Sequence, residues 1–176
     1  MAEKPRLLVI DRDSSHGKSS VDFLSESFTP VTVRTISKAL ALLREIRAKE
    51  AVGVPAALDF VLDHPERGAM KMWVIYRVLN FRRERPELFT HGEYIPVEVA
   101  GPALGFIRWR GTEWVLVLVP LIGGEEEARG GFRVGLPKGA PMEWVDLFTG
   151  DVHHASGSGL EWPGWNRFPV ALLIGR

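Results

Sequence analysis

Cysteine is missing from all 176 residues. That excludes disulfides, a thiol nucleophile and a thiolate-held metal ion. Surplus charge is missing too, because 22 basic residues balance 22 acidic ones. A balanced chain has no strong electrostatic hold on nucleic acid or an anionic membrane, so neither is expected as a partner. No apolar run approaches the roughly 20 residues that span a bilayer. The opening Met1-Ala2-Glu3-Lys4-Pro5 has no apolar signal core, so a cytoplasmic protein is expected. Internal repeats and long low-complexity segments are absent. There is no Gly-x-Ser-x-Gly elbow to present a nucleophilic serine. The acids form no evident pair of the kind glycoside hydrolysis needs, roughly 5–10 Å apart across a cleft. The residues by themselves assign no catalytic group and call for no cofactor.

What is present is a change of period. The chain is 45% hydrophobic and 25% charged, ordinary for a globular protein. Its apolar residues recur every three to four positions up to about residue 85, and every second position after residue 93. That marks a passage from helices to strands, and the fold class read from it is α+β. Leu7-Leu8-Val9-Ile10 suits a buried strand or an anchored arm. Thr35 to Glu50 is expected to be a helix, with Ile36, Ala39, Leu40, Leu43 and Ile46 on one stripe and Lys38, Arg44, Glu45 and Arg47 off it. Glu45 and Lys49 have the spacing of a favourable i,i+4 pair. Pro55 suits the first turn of a second helix through Asp63. Ala69 to Arg85 reads as a helix apolar nearly all round, needing cover on more than one side. Arg82, Arg83 and Arg85 sit in its last turn and Pro86 stops it.

From Glu93 onward the pattern predicts five to seven short antiparallel strands in a sandwich or open barrel. Gly101-Pro102, Arg110-Gly111-Thr112, Gly123-Gly124, Gly130-Gly131 and Thr149-Gly150-Asp151 are the turns. Glu125-Glu126-Glu127 reads as a solvated tip and Ser156-Gly157-Ser158-Gly159 as a flexible connection. Phe168 to Ile174 reads as a central strand.

Several motifs imitate chemistry. Gly17-Lys18-Ser19 ends like a phosphate-binding loop, but that loop needs a glycine five positions earlier, where Arg12 stands. Leu7 to Asp13 imitates the acidic opening of a receiver domain, with Asp59 or Asp63 as phosphoacceptor. A receiver alternates strand and helix throughout, which Thr35 to Arg85 does not. His153-His154 on a strand point to opposite faces and do not easily chelate one ion. Trp73, Trp109, Trp114 and Trp144 read as core. Trp162 and Trp165, in the turn Glu161-Trp162-Pro163-Gly164-Trp165, are the better candidates for exposure and for stacking on a sugar, though packing is the stronger reading there too.

Longer segments carry a family resemblance. Lys71-Met72-Trp73-Val74-Ile75-Tyr76-Arg77-Val78-Leu79, Arg82 to Phe89 and Gly92-Glu93-Tyr94-Ile95-Pro96-Val97 resemble the last barrel helix and following strand of maltooligosyl trehalose synthases, in the alpha-amylase superfamily. Trp114 to Pro120, Trp144 to Gly150 and Phe168 to Leu173 resemble that family's later strands, in order. Val21-Asp22-Phe23 resembles its segment before the penultimate helices. The resemblance implies residues 1–89 as a short arm and the last barrel helices, packed on an antiparallel β-sandwich, residues 90–176, like the amylase C-terminal domain. It implies maltooligosaccharide or another α-glucan as partner, with a separate catalytic-barrel chain as a further one. Apart from the resemblance, the all-round apolar helix at Met70–Phe81 needs cover from another chain if the fold leaves one side bare, so self-association through it is also expected. The family turns the terminal α-1,4 link of a maltooligosaccharide into an α,α-1,1 link, using a carboxylate nucleophile, a glutamate acid/base and an aspartate on earlier barrel strands. Those motifs are not in this sequence, so no catalytic residue carries over. The family's Asp-Pro-Asp-Asn-Arg-Arg-Pro loop is replaced here by Asp11 to Ser20.

Overall fold

The computed structural model describes residues 6–9, 29–32, 36–121 and 130–176. The readings placed on Asp11 to Ser20, Val21 to Phe23, Gly123-Gly124 and Glu125 to Glu127 lie outside the described residues. The chain divides into two units, Met1–Leu79 and Asn80–Arg176.

In the first unit, β1 (Arg6–Val9) pairs in parallel with β2 (Thr29–Thr32), a strand the sequence pattern does not announce. Three helices follow: α1 (Ile36–Glu50), α2 (Val54–Asp63) and α3 (Ala69–Glu84), which runs on past Leu79. α1 packs on α2, and Leu42 and Ile46 of the first and Ala57, Leu58 and Val61 of the second are buried. The covered stripe of α1 is therefore buried Leu42 and Ile46 with half-buried Ala39 and Leu43, while Leu40 is 47% exposed. The spacing 39, 42, 43, 46 follows one helical face, and Leu40 starts the next one. Glu45 bonds not to Lys49 but to both guanidinium nitrogens of Arg67, each at 2.8 Å. Its carboxyl is held below the usual range mainly by that hydrogen bond. Glu50 takes the Tyr76 hydroxyl at 2.6 Å and the Arg77 guanidinium. On α3, Met72 and Trp73 are buried, whereas Ile75 and Leu79 face solvent, so that helix is covered on one side rather than all round. No described helix is long and apolar enough to cross a membrane.

The second unit opens with a helix the sequence reading missed. Pro86 ends α3 but also begins α4 (Pro86–His91), because a proline lacks only an N–H that the first helical turn leaves unpaired. The other end of α4 is held by Arg108, whose Nη2 donates to the carbonyls of Phe89 at 2.9 Å and Leu88 at 3.3 Å. A cation there also meets the negative end of the helix.

Among the described residues, eight antiparallel strands then form a single sheet: β3 (Glu93–Pro96), β4 (Ala103–Arg110), β5 (Glu113–Pro120), β6 (Phe132–Gly135), β7 (Glu143–Asp146), β8 (Val152–Ser156), β9 (Gly159–Trp162) and β10 (Ala171–Gly175). Their order is β3-β4-β5-β10-β7-β8-β9-β6. Of the two forms expected, sandwich or open barrel, the strands make one curled sheet of eight and not the two layers of a sandwich. Its ends are joined by the segment after β3. The Ala100 amide donates to Arg133 and the Gly135 amide to Glu98, both at 2.8 Å, around a bridge between Val99 and Val134. Alternate residues point inward and make the core, with Ile107, Leu116, Leu118, Trp144, Leu160 and Leu173 at its centre. Ser156 to Gly159 is a tight hairpin rather than a loose link, with Gly157 in the left-handed region at φ 61°. β10 starts only at Ala171, since Pro169 has no N–H for a ladder.

Gly105 is where the joining segment lies over β4. A Cβ there would fall 2.7 Å from Val97 Cγ2 and 3.0 Å from Leu118 Cδ2 and Val99 Cγ2. Gly105→Val is expected to cost about 1–3 kcal/mol by overpacking. An unchanged urea midpoint would mean that the segment is not held against β4.

Candidate functional site

One pocket of the second unit gathers polar and aromatic groups. It lies at the end of the sheet interior, between the β7–β8 turn and the loop after β9, and holds about 190 Å³. Asp146, Trp162 and Phe168, each 5% exposed or less, form its floor. Half-buried Asp151 and exposed Pro163, Asn166 and Arg167 form its rim.

The β7–β8 turn is built on Asp146. Its Oδ1 accepts from the Phe148 amide at 2.7 Å, and the Thr149 amide and hydroxyl also bond to the carboxyl. The Gly150 amide returns to the Asp146 carbonyl, and the Asp146 amide to the Asp151 carbonyl, both at 2.9 Å. The Thr149 hydroxyl accepts from the Asp151 amide at 3.2 Å. Burial pushes the Asp146 carboxyl up to about 7; those hydrogen bonds oppose the rise and the neighbouring Asp151 charge adds to it. On the rim, Arg167 Nη1 donates to Asp151 Oδ1 at 3.1 Å, with Oδ2 at 3.5 Å. Asn166 Nδ2 donates to the Pro163 carbonyl at 2.9 Å. His153 stands on β8 opposite Trp144. Burial lowers its pKa, with Asp151 pulling the other way and His154 adding to the drop. The two adjacent histidines do part company: His153 is half-buried and His154 exposed.

Of the two tryptophans singled out as exposed, Trp162 is 5% exposed and Trp165 half-buried. Trp162 lies beside His153 (centroids 4.9 Å apart) and Trp165 (5.3 Å). Trp165 in turn leans on Phe132. The correction has a simple cause: a large ring beside a turn still buries itself if the sheet interior lies within reach. The structure brings Trp162 into the pocket floor, with Trp165 beside it. The ring nitrogens His153 Nε2, Trp162 Nε1 and Trp165 Nε1 are buried without a hydrogen-bond partner. Sequence reasoning missed Asp146, Asp151, Asn166 and Arg167. The run Asp146-Leu147-Phe148-Thr149-Gly150-Asp151 carried the signal for the first two, since Asp and Thr before a glycine turn bond back to their own backbone. Asn166-Arg167 carried none.

The polar rim suits hydrogen bonding to a ligand. Among the described residues, no three His, Cys, Asp or Glu side chains are grouped to hold a metal ion.

No family model and no characterised protein sequence matches the chain. Parts of solved structures do. It is similar to a noncanonic maltogenic alpha-amylase, AmyB, from Thermotoga neapolitana (13% identity, TM-score 0.43, 57% of this chain and 24% of that one). It is similar to an Anoxybacillus alpha-amylase (12%, 0.44, 59% and 22%). A third is AmyP, as an E221Q variant with maltotriose (16%, 0.45, 63% and 21%). The chain spans less than a quarter of the length of each of these amylases.

Proposed function

We propose that this chain is the non-catalytic, carboxyl-terminal portion of a maltooligosyl trehalose synthase-like protein of trehalose biosynthesis. The observation that carries the reading is the position of the resembling segments. Trp114 to Pro120 is β5, Trp144 to Gly150 is β7 with its turn, and Phe168 to Leu173 leads into β10. These three strands are neighbours in the order β5-β10-β7. Segments that resemble one family in sequence order thus form one continuous stretch of sheet. In this reading residues 90–176 are the amylase-type C-terminal domain and residues 1–89 the last barrel helices, in a cytoplasmic protein. The reacting acids are supplied by a barrel, which alone presents them together.

The purified chain is then expected to leave maltoheptaose unchanged, with constant reducing ends over a day. Mixed with the barrel portion of such a synthase, made without its own last domain, it is expected to raise conversion above that of the barrel alone. Loss of reducing ends with the chain alone, or equal rates with and without it, would remove the reading.

A second reading, a glucan-binding module without chemistry, is favoured by the pocket at Trp162, where hydrogen-bonding side chains stand around an aromatic floor.

A further inference from the structure

We infer that the outer face of β3, β4 and β5 binds the same face of a second copy of this chain, in a two-fold dimer closed at each end by Glu98 of one copy and Arg108 of the other. The inference stands apart from the family reading.

The surface comes first. Side chains alternate across a strand, so the neighbours of the core residues Ile95, Ile107, Leu116 and Leu118 point outward. An antiparallel sheet with one face in water carries polar residues on that face. Here the outward residues include Tyr94 and Leu104, both 59% exposed, and Phe106, stacked on Tyr94 with centroids 5.0 Å apart. Half-buried Val117 and Val119 stand opposite Phe106 and Leu104. A single exposed apolar residue needs no explanation, but a contiguous patch over three adjacent strands marks a contact surface.

The charges come second, and they choose the partner. The Val97 amide donates to the Gly105 carbonyl at 3.2 Å, which carries the chain after β3 along to the Leu104 end of β4. Val97 and Val99 pack on the core, so Glu98 between them points outward there. Glu98 is exposed and has no cationic partner among the described residues. Arg108 lies four residues along β4 from Leu104, about 13 Å away. It is half-buried, bonds to two carbonyls of α4 and meets no carboxylate among the described residues. A patch with an unpaired anion at one end and an unpaired cation at the other is its own complement. A partner charged with one sign alone would match only one end. A two-fold axis lying in the face and crossing the strands reverses their direction, so it lays each Arg108 over the end of the other copy that holds Glu98. The apolar centres then stack as two sheet layers do. With 22 basic and 22 acidic residues, the chain has no net charge to hold two copies apart.

Sedimentation velocity of the intact chain at micromolar concentration tests this, and a dimer is expected. Leu104→Lys, on the water-facing side of β4, is expected to give monomers with an unaltered circular dichroism spectrum. Glu98→Lys sets like charges against each other at both ends and is expected to weaken association about tenfold. Arg108→Glu is expected to do the same. An equal mixture of the Glu98→Lys and Arg108→Glu chains is expected to restore dimers, because opposite charges again meet at both ends. A monomer throughout would overturn the inference. So would a dimer that either Leu104→Lys or Glu98→Lys leaves intact, since the contact would then lie elsewhere or close differently. Two folded variants that fail to pair in the mixture would overturn the closure by Glu98 and Arg108. If Arg108→Glu, which also gives up the bonds to α4, does not fold, the Leu104→Lys and Glu98→Lys chains decide.

Discussion

Trp144→Ala is expected to lower folding stability by about 4 kcal/mol, within the 3–5 kcal/mol typical of a buried aromatic cut back to alanine. Trp144 is fully buried on β7, between Gly175 of β10 and His153 of β8. Its indole Nε1 donates to the Pro141 carbonyl at 2.8 Å. Removing the ring opens a cavity in the sheet interior and takes away that carbonyl's donor. Domains are stable by only about 5–15 kcal/mol, so this one change is a large share of the total. Urea unfolding should show a lower midpoint with an unaltered slope. A loss below about 1 kcal/mol would contradict the packing described around β7.

Asp146 is the second sensitive point, and its effect depends on pH. The folded carboxyl, at about 7, holds its proton to higher pH than an unfolded aspartate at about 4. The stability this group gives is therefore complete below about pH 4 and is lost as the pH rises through about 7. The gap between the folded and unfolded carboxyl corresponds to at most about 4 kcal/mol. Asp146→Asn keeps an oxygen for the Phe148 amide but carries no charge. Its unfolding midpoint should vary less between pH 5 and pH 8 than that of the unaltered chain, and should gain on it at pH 8. Asp146→Ala should lose about 2–3 kcal/mol at pH 5, because the buried β7–β8 turn loses the carboxyl that accepts from the Phe148 and Thr149 amides. Parallel pH curves for the aspartate and asparagine forms would show that the carboxyl is not perturbed as described.

The helices were legible because each has one strong local signal. Pro55 opens α2, an apolar stripe with period 3.6 runs through α1, and α3 is a long apolar run that Pro86 ends. The long strands β4 and β5 were legible as runs of β-branched, aromatic and other apolar residues set between turn residues. What escaped was decided by parts of the chain far apart in sequence. Pro86 reads as a stop in isolation and becomes a start only because residues after it coil again. Leu40 and Leu42 carry the same side chain, and the packing of α2 on α1 chose between them. The join between Glu98–Ala100 and β6 links segments more than thirty residues apart, and no periodicity announces it. The pocket was half legible. Two tryptophans in a Gly/Pro turn pointed to the right loop but the wrong exposure. Asp151 and Arg167 are 16 residues apart on different loops, and only the sheet order brings them together.

The join at Glu98–Ala100 also governs how molecules of this chain meet one another. A bare outermost strand offers a row of amides and carbonyls to which a neighbour can add its own, the first step of fibril growth. Here that row on β6 is already occupied from within, and the opposite margin, β3, is four residues long and contains Pro96. Lifting that short peptide away would bare the row on β6, so the guarding of this margin is concentrated in three residues.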